Sequence, residues 1–330
     1  MSNEQLKADR SQNRMNVWFK DFLSNKIVIV FVISIILFVL GQMISPGFSS
    51  FSNIMNVLNI SAMLGCIALA QTIVVISGNE GIDLSIGATL SLSACIAAQV
   101  MDGQDSKLIL AVFVVLVVGF LIGLVNGVGI SYFKIPPLVM TLAMASVVYG
   151  ISLVYTNGQP KGSASSLLKS LGNERTIGIP NLVYLWAIVA IIALFFLSRS
   201  RWGKILYALG TNYLTAELSG VRTKVFRTFV YATAGAISAF GGVLLLSYTG
   251  TPYLDIGSTY VIPSIIAVVI GGIALRGGIG NYMGVIAGAI LLTVLSSILI
   301  TINIGEGGRQ IVYGSVLLFL LIVYARERKN

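Results

Sequence analysis

Long apolar runs separated by short polar breaks dominate the chain from residue 27 onward. A helix that crosses a bilayer needs roughly 20 mainly apolar residues. Runs that approach or reach that length lie at Ile27–Ile44, Ile54–Ile76, Ile82–Met101, Leu108–Ser131, Ile135–Tyr155, Leu182–Leu197, Val225–Tyr248, Tyr260–Leu275, Tyr282–Ile302 and Ile311–Tyr324. The pattern predicts an all-α membrane protein of about ten transmembrane helices with almost no protein outside the bilayer. Ile82–Met101 opens with a charged turn, and Tyr260–Leu275 is short and interrupted by Pro263.

Composition agrees with that pattern, because 56% hydrophobic and 10% charged residues are far from the balance of a soluble domain. The first 26 residues are polar, with no apolar segment and no small-residue cleavage site, so a cleaved signal peptide is not expected and Ile27–Ile44 should stay in the mature chain. Both cysteines, Cys66 and Cys95, fall inside hydrophobic runs and read as small apolar fillers. The chain has no histidine, which removes the commonest general base and the commonest metal ligand together. No cofactor or metal is expected.

Basic residues set the orientation. In a ten-helix arrangement one side holds 16 of the 21 Lys and Arg, counting Lys7, Arg10, Arg14, Lys20 and Lys26, then Lys134 and Arg276. The same side takes Arg199, Arg201, Lys204, Arg222, Lys224 and Arg227, and finally Arg326, Arg328 and Lys329. The positive-inside rule puts that side, with both termini, in the cytoplasm. The net charge of +9 follows from this asymmetry and leaves no basic face for nucleic acid.

The largest outer loop, about Thr156–Asn181, is too short for a domain. The inner loop from about Ser198 to Lys224 carries a pattern: Leu209–Gly220 reads "LGTNYLTAELSG". A turn at Gly210-Thr211, Asn212 as N-cap with Thr215 three residues on, and a stop at Gly220 predict a short cytoplasmic helix. Such a helix is either an interfacial connector or a ridge that docks another protein.

Glu80 and Asp83 sit in "SGNEGIDLSIGATLSLS", Ser77–Ser93, with no basic residue near them in sequence. Carboxylates at membrane depth are costly, so they line water, pair, or cap a helix. Asp83 before Leu84 and Ser85 suits a helix first turn after a break permitted by Gly78 and Gly81. The pair therefore reads as a cap at a re-entrant break or as part of a translocation path or its gate. Gly81-Ile82 and Gly87 recur as Gly278-Ile279 and Gly284, a faint parallel repeat of the kind that marks pathways. Among polar residues in or beside the spans, Asn59, Gln71, Ser85, Asn126 and Thr141 join Glu80 and Asp83 as candidate path groups, the amides suiting a neutral polyol. The lack of buried Lys or Arg argues against a strongly anionic substrate, and the lack of a chain of buried acids against proton coupling.

Five pieces in consistent order from Asn53 to Leu291 resemble the permease subunits of ribose, xylose and galactoside type ABC importers. They are "NIMNVLNISAMLGCIALAQTIVVISGNEGIDLSIGATLSLS", "GLVNG" with "KIPPLVMTLAM", "VYTNGQP", "ALGTNYLTAELSGV" and "IIAVVIGGIALRGGIGNYMGVIAGAIL". The resemblance implies a type II importer-like fold, a dimer with a second permease copy or paralogue, a cytoplasmic ATP-binding subunit and an extracytoplasmic solute-binding protein. It also implies that Ala208, Leu209, Gly210, Asn212, Ala216, Ser219, Gly220 and Val221 form the helix that couples to the ATPase. The domain layout would be a tail at 1–26, a transmembrane permease domain at 27–325 with the coupling loop at about 198–224, and a tail at 326–330. No GxxxxGK[ST] phosphate loop occurs, so the ATPase is expected on another chain.

Departures keep the solute open. Related sugar permeases often carry acids in "YELDAIAAVVIGG", where this chain has "YVIPSIIAVVIGG" with Val261 and Pro263, and Asn59 stands where glutamine is common. Nucleosides and branched-chain amino acids are alternative solutes. An ion-coupled secondary carrier is a further alternative, and a membrane-bound enzyme lacks any visible clustered nucleophile or metal set.

Overall fold

The structure, a computed structural model, describes residues 26–327. Residues 1–25 and 328–330, which hold most of both expected tails, lie outside the described residues. Seven described helices are long and apolar enough to cross a membrane: α1 (Lys26–Ile44), α2 (Phe51–Ile76), α4 (Leu108–Ser131), α5 (Pro137–Thr156), α7 (Asn181–Arg199), α10 (Thr223–Thr249) and α12 (Tyr282–Thr301). Two shorter apolar helices, α3 (Ile86–Met101) and α11 (Val261–Ile270), follow a break and precede one. The last helix, α13 (Glu306–Glu327), covers the run expected at Ile311–Tyr324.

Burial sorts these helices into a centre and a shell. The apolar windows of α2, α10 and α12 are 94%, 72% and 61% buried, whereas those of α1, α4, α5 and α7 are only 17–28% buried. Lipid is as apolar as leucine, so burying leucine brings little between such helices; close approach of backbones does. Gly119, Gly123 and Gly127 lie four apart on one face of α4, where a Cβ would overlap the Gly235 carbonyl, the Tyr231 carbonyl and the Thr228 backbone of α10. The central helix is fastened to two others by one polar chain. Trp186 of α7 lies against Gly65, its indole N–H donates to the Tyr282 hydroxyl at 3.2 Å, and that hydroxyl donates to the Gly65 carbonyl at 2.8 Å.

The structure departs from the sequence expectations at four places. The third span begins at Ile86 and not Ile82, because residues 77–85 form an irregular break. The eighth, expected at Tyr260–Leu275, is the 3-10 turn Ser258–Tyr260 followed by α11, ending at Ile270. The loop expected outside, about Thr156–Asn181, is ordered into α6 (Ser166–Asn173) and a two-residue antiparallel pair, β1 (Arg175–Thr176) with β2 (Ile179–Pro180), so the chain is not purely helical. Ser165 caps α6 by accepting from the Leu168 amide, and Asp105 accepts from the Leu167 amide at 2.8 Å. Finally, Gly210-Thr211 is no turn: both residues end α8 (Arg201–Thr211).

Two partly buried non-helical stretches therefore interrupt the helices, 77–85 between α2 and α3 and 271–281 between α11 and α12. They meet directly, the Gly278 amide donating to the Ile76 carbonyl at 2.9 Å. Gly81-Ile82 and Gly278-Ile279, noted as a repeat, each belong to one of these breaks.

The α4–α10 seam gives a test. Gly123→Leu forces a side chain into main chain that cannot rotate away, and should destabilise the protein by about 3 kcal/mol or more. Gly150, with open space around it, should accept alanine without loss. Thermal unfolding of the two detergent-purified variants measures both, and equal midpoints would refute the seam.

Candidate translocation path and coupling surface

The break after α2 turns through three consecutive left-handed residues, Gly78, Asn79 and Glu80, with φ of 79°, 59° and 54°. Glycine and asparagine adopt this region cheaply; glutamate does so at a cost of about 1 kcal/mol or more. Glu80 is thereby thrust to the surface, while Asp83 three residues on is buried.

Four of the expected path residues converge on residues 82–85. One Asp83 carboxylate oxygen accepts from the Ser85 amide at 2.8 Å and the Ser85 hydroxyl at 2.6 Å. Asn126 of α4 donates its amide to the Ser85 hydroxyl oxygen at 2.9 Å. Thr141 of α5 accepts from the Leu84 amide at 3.1 Å and donates to the Pro137 carbonyl at 2.9 Å. Asp83 thus sits ahead of the helix instead of in its first turn. It satisfies the Ser85 N–H just before α3, and side chains of α4 and α5 hold the buried irregular main chain, which has no helical partners of its own.

The other three candidates lie apart. Glu80 lines a half-open cleft of about 1740 Å³. Gln71 is fully buried in the last turns of α2, with neither amide atom hydrogen-bonded. Asn59 donates to the Gly172 carbonyl of α6 at 2.9 Å, and its amide oxygen has no partner. It lines a cavity of about 160 Å³ with Asn56, Asn173, Arg175 and Tyr248 at the end that carries α6 and the strand pair.

The large cleft gathers Lys134, Lys224, Arg227 and Arg276, four of the cations assigned to one side, together with Glu217, Tyr213 and Gly210. One of its walls is the patterned inner loop. After α8 the chain passes through Asn212, whose side-chain oxygen accepts from the Thr215 amide at 3.0 Å and starts α9 (Tyr213–Leu218), the short helix expected there. Gly220, at φ 86°, stands just beyond its end.

Of the eight residues assigned to coupling, Ala208, Asn212, Ser219 and Gly220 are exposed, Gly210 and Val221 are half-buried, and Leu209 and Ala216 face inward at 1% and 4% exposure. The outward apolar groups are instead Leu214 and Leu218, 63% and 80% exposed. A second feature was hidden in the sequence: the Arg227 guanidinium of α10 lies 4.8 Å from the Tyr213 ring centroid. A cation over a ring in a partly desolvated place contributes about 1–2 kcal/mol and clips α9 to α10. The two residues are fourteen apart on different helices, beyond any periodic signal.

Among known proteins, the family model described as the permease component of the branched-chain amino acid transport system matches residues 53–325. The ribose import permease protein RbsC of Haemophilus influenzae is 33% identical over 296 residues, covering 88% of this chain and 91% of that protein. The galactose/methyl galactoside import permease protein MglC of Escherichia coli K12 is 29% identical over 321 residues, covering 91% and 95%. The fructose import permease protein FrcC of Rhizobium meliloti is 33% identical over 279 residues, covering 82% and 76%. No solved structure matches at a significant level.

The polar stitching of the first break predicts that Asp83→Ala, which orphans two buried donors, destabilises the protein by about 1–3 kcal/mol. Asp83→Asn keeps an acceptor and should cost less. A double-mutant cycle of Ser85→Ala with Asn126→Ala should give a coupling of about 0.5 kcal/mol or more in detergent unfolding; additive effects would remove the network.

Proposed function

From the premise that the chain belongs to the branched-chain amino acid transport system / permease component family, we propose that it is the membrane-spanning permease subunit of an ATP-driven importer. Its solute is a small neutral molecule, a monosaccharide of the ribose, galactose or fructose kind. The observation that carries this reading is likeness over most of its length to permeases named for import of those three sugars. The description of the family names branched-chain amino acids, which makes a neutral amino acid the second reading.

Energy comes from another chain, since no phosphate loop is present. We read α9 as the ridge that docks the ATP-binding subunit through Leu214 and Leu218, with Ala216 and Leu209 fixing it from beneath. An extracytoplasmic solute-binding protein delivers the sugar and a second permease copy completes the path. We read the seven long helices together with α3, α11 and α13 as ten spans, with both termini in the cytoplasm and residues 27–325 as the permease domain; the helix order is compatible with that reading. Asp83, Ser85, Asn126 and Thr141 hold the wall of the path at the first break, Glu80 stands at its cytoplasmic mouth, and Asn59 faces its outer end. Gln71, lacking partners in α2, lies between these ends. Closure of two ATPase subunits on ATP pushes α9, and the helices exchange an outward-open for an inward-open arrangement.

Reconstitution with the ATPase and binding protein tests the whole reading: labelled monosaccharide should enter vesicles only with ATP. Uptake that survives ATP removal while an ion gradient persists would overturn it, and preferential uptake of leucine or valine would favour the second reading. Leu218→Glu places a charge on the docking ridge and should reduce co-purified ATPase at least tenfold, with the permease itself still folded. A single cysteine at Ser219 should react with an impermeant maleimide only from the cytoplasmic side, and one at Lys161 only from outside.

A further inference from the structure

Gly210 lies in the last turn of α8, half-buried and turned away from the exposed face of α9. A Cβ there would overlap the Ile76 carbonyl oxygen and the Gly278 amide nitrogen, and would lie 3.0 Å from the Gly278 Cα. One on Gly78 would come within 2.8 Å of the Gly210 Cα and 3.2 Å of the Arg276 carbonyl. One on Gly278 would overlap the Thr211 hydroxyl and lie 2.6 Å from its amide. Three main-chain segments therefore touch with no side chain between them: the end of α8, the break after α2 and the break after α11. The Gly278 amide bond to the Ile76 carbonyl, 2.9 Å, ties the two breaks, and the Tyr207 hydroxyl bond to the Gly280 carbonyl, 2.8 Å, ties α8 to the second.

We propose that Gly78, Gly210 and Gly278 are positioning residues that pass displacement of the α8–α9 elbow to both interior breaks at once. The physical reason is slack. A contact between side chains absorbs a shift of a few tenths of an ångström by a change of rotamer, whereas backbone packed on backbone moves as a unit, because close-packed interiors transmit strain. The elbow meets both breaks through the end of α8, and each break opens directly into a helix, α3 or α12. Gly78 and Gly278 also hold positive φ, 79° and 72°, a conformation that glycine adopts without strain. Docking and transmission thereby fall on different residues: Leu214 and Leu218 outward, Gly210 inward. This inference rests on the reading of α9 as the ATPase-docking ridge.

The test uses the full complex of permease, ATPase and binding protein in vesicles. Gly210→Ala should co-purify with as much ATPase as the unsubstituted chain, while solute imported per ATP hydrolysed falls at least tenfold. A ratio within twofold of the unsubstituted complex would overturn the proposal, and so would loss of ATPase co-purification, which would make Gly210 part of the docking face. Should the variant not fold, hydrogen exchange on the unsubstituted complex decides. Adding a non-hydrolysable ATP analogue should change protection at 76–81 and 274–280 together with 208–212, and a change confined to 208–218 would overturn the proposal. Failure of the reading beneath it shows separately, as a Leu218→Glu chain that still binds the ATPase.

Discussion

A peptide group inside a bilayer has no water to bond, so every N–H and C=O must find a partner within the protein. Helices meet this demand alone; where a helix stops, as at 77–85, its buried main chain draws on neighbouring side chains. Part of the arrangement follows from that need. Thr141 reaches from α5 to the Leu84 amide, Asn126 reaches from α4 to Ser85, and Asp83 occupies the Ser85 amide. The breaks also serve each other, through the bond from Gly278 to Ile76. Glycine is needed wherever this mutual cover requires main chain to lie on main chain.

The same demand separates two kinds of buried polar side chain. Ser61, Thr72, Ser152 and Thr293 each return their hydroxyl to a carbonyl four residues back in their own helix. They are self-contained and bear no message about a path. Asn59, Gln71 and Asn126 are different, because an amide has more bonding capacity than its own helix can absorb, and each retains at least one unpaired atom. Their unmet capacity is what makes them candidates for meeting a hydroxyl-rich solute.

The seven long apolar helices were legible to within a few residues because run length is a strong signal in lipid, and the start of α9 because Asn212 before Thr215 is local capping chemistry. What escaped the sequence was set by distant contacts. Gly210 resembles a turn glycine, yet its role comes from Ile76 and Gly278, which are 134 and 68 positions away along the chain. The pairing of Tyr213 with Arg227 and the inward turn of Leu209 and Ala216 likewise depend on how α8, α9 and α10 pack. The small outer elements, α6 and the strand pair, are too brief to produce a period. Ser165 caps α6, and the anchor Asp105 lies sixty residues earlier. For the path, the sequence pointed to seven residues, and four of them share one network because a single break draws them together.

The near-complete burial of α2 has a consequence for how the protein is made. Its lasting neighbours α10 and α12 begin at Thr223 and Tyr282, far downstream of Ile76. At a synthesis rate of roughly 5–20 residues per second, α2 leaves the ribosome roughly ten to forty seconds before the last of them. During that interval Asn59, Gln71 and its glycine-notched face lie against lipid or against the insertion machinery. The helix at the centre of the finished protein is thus one of the first made and the last to be enclosed, and assembly in the membrane has to keep an early, polar segment waiting for its shell.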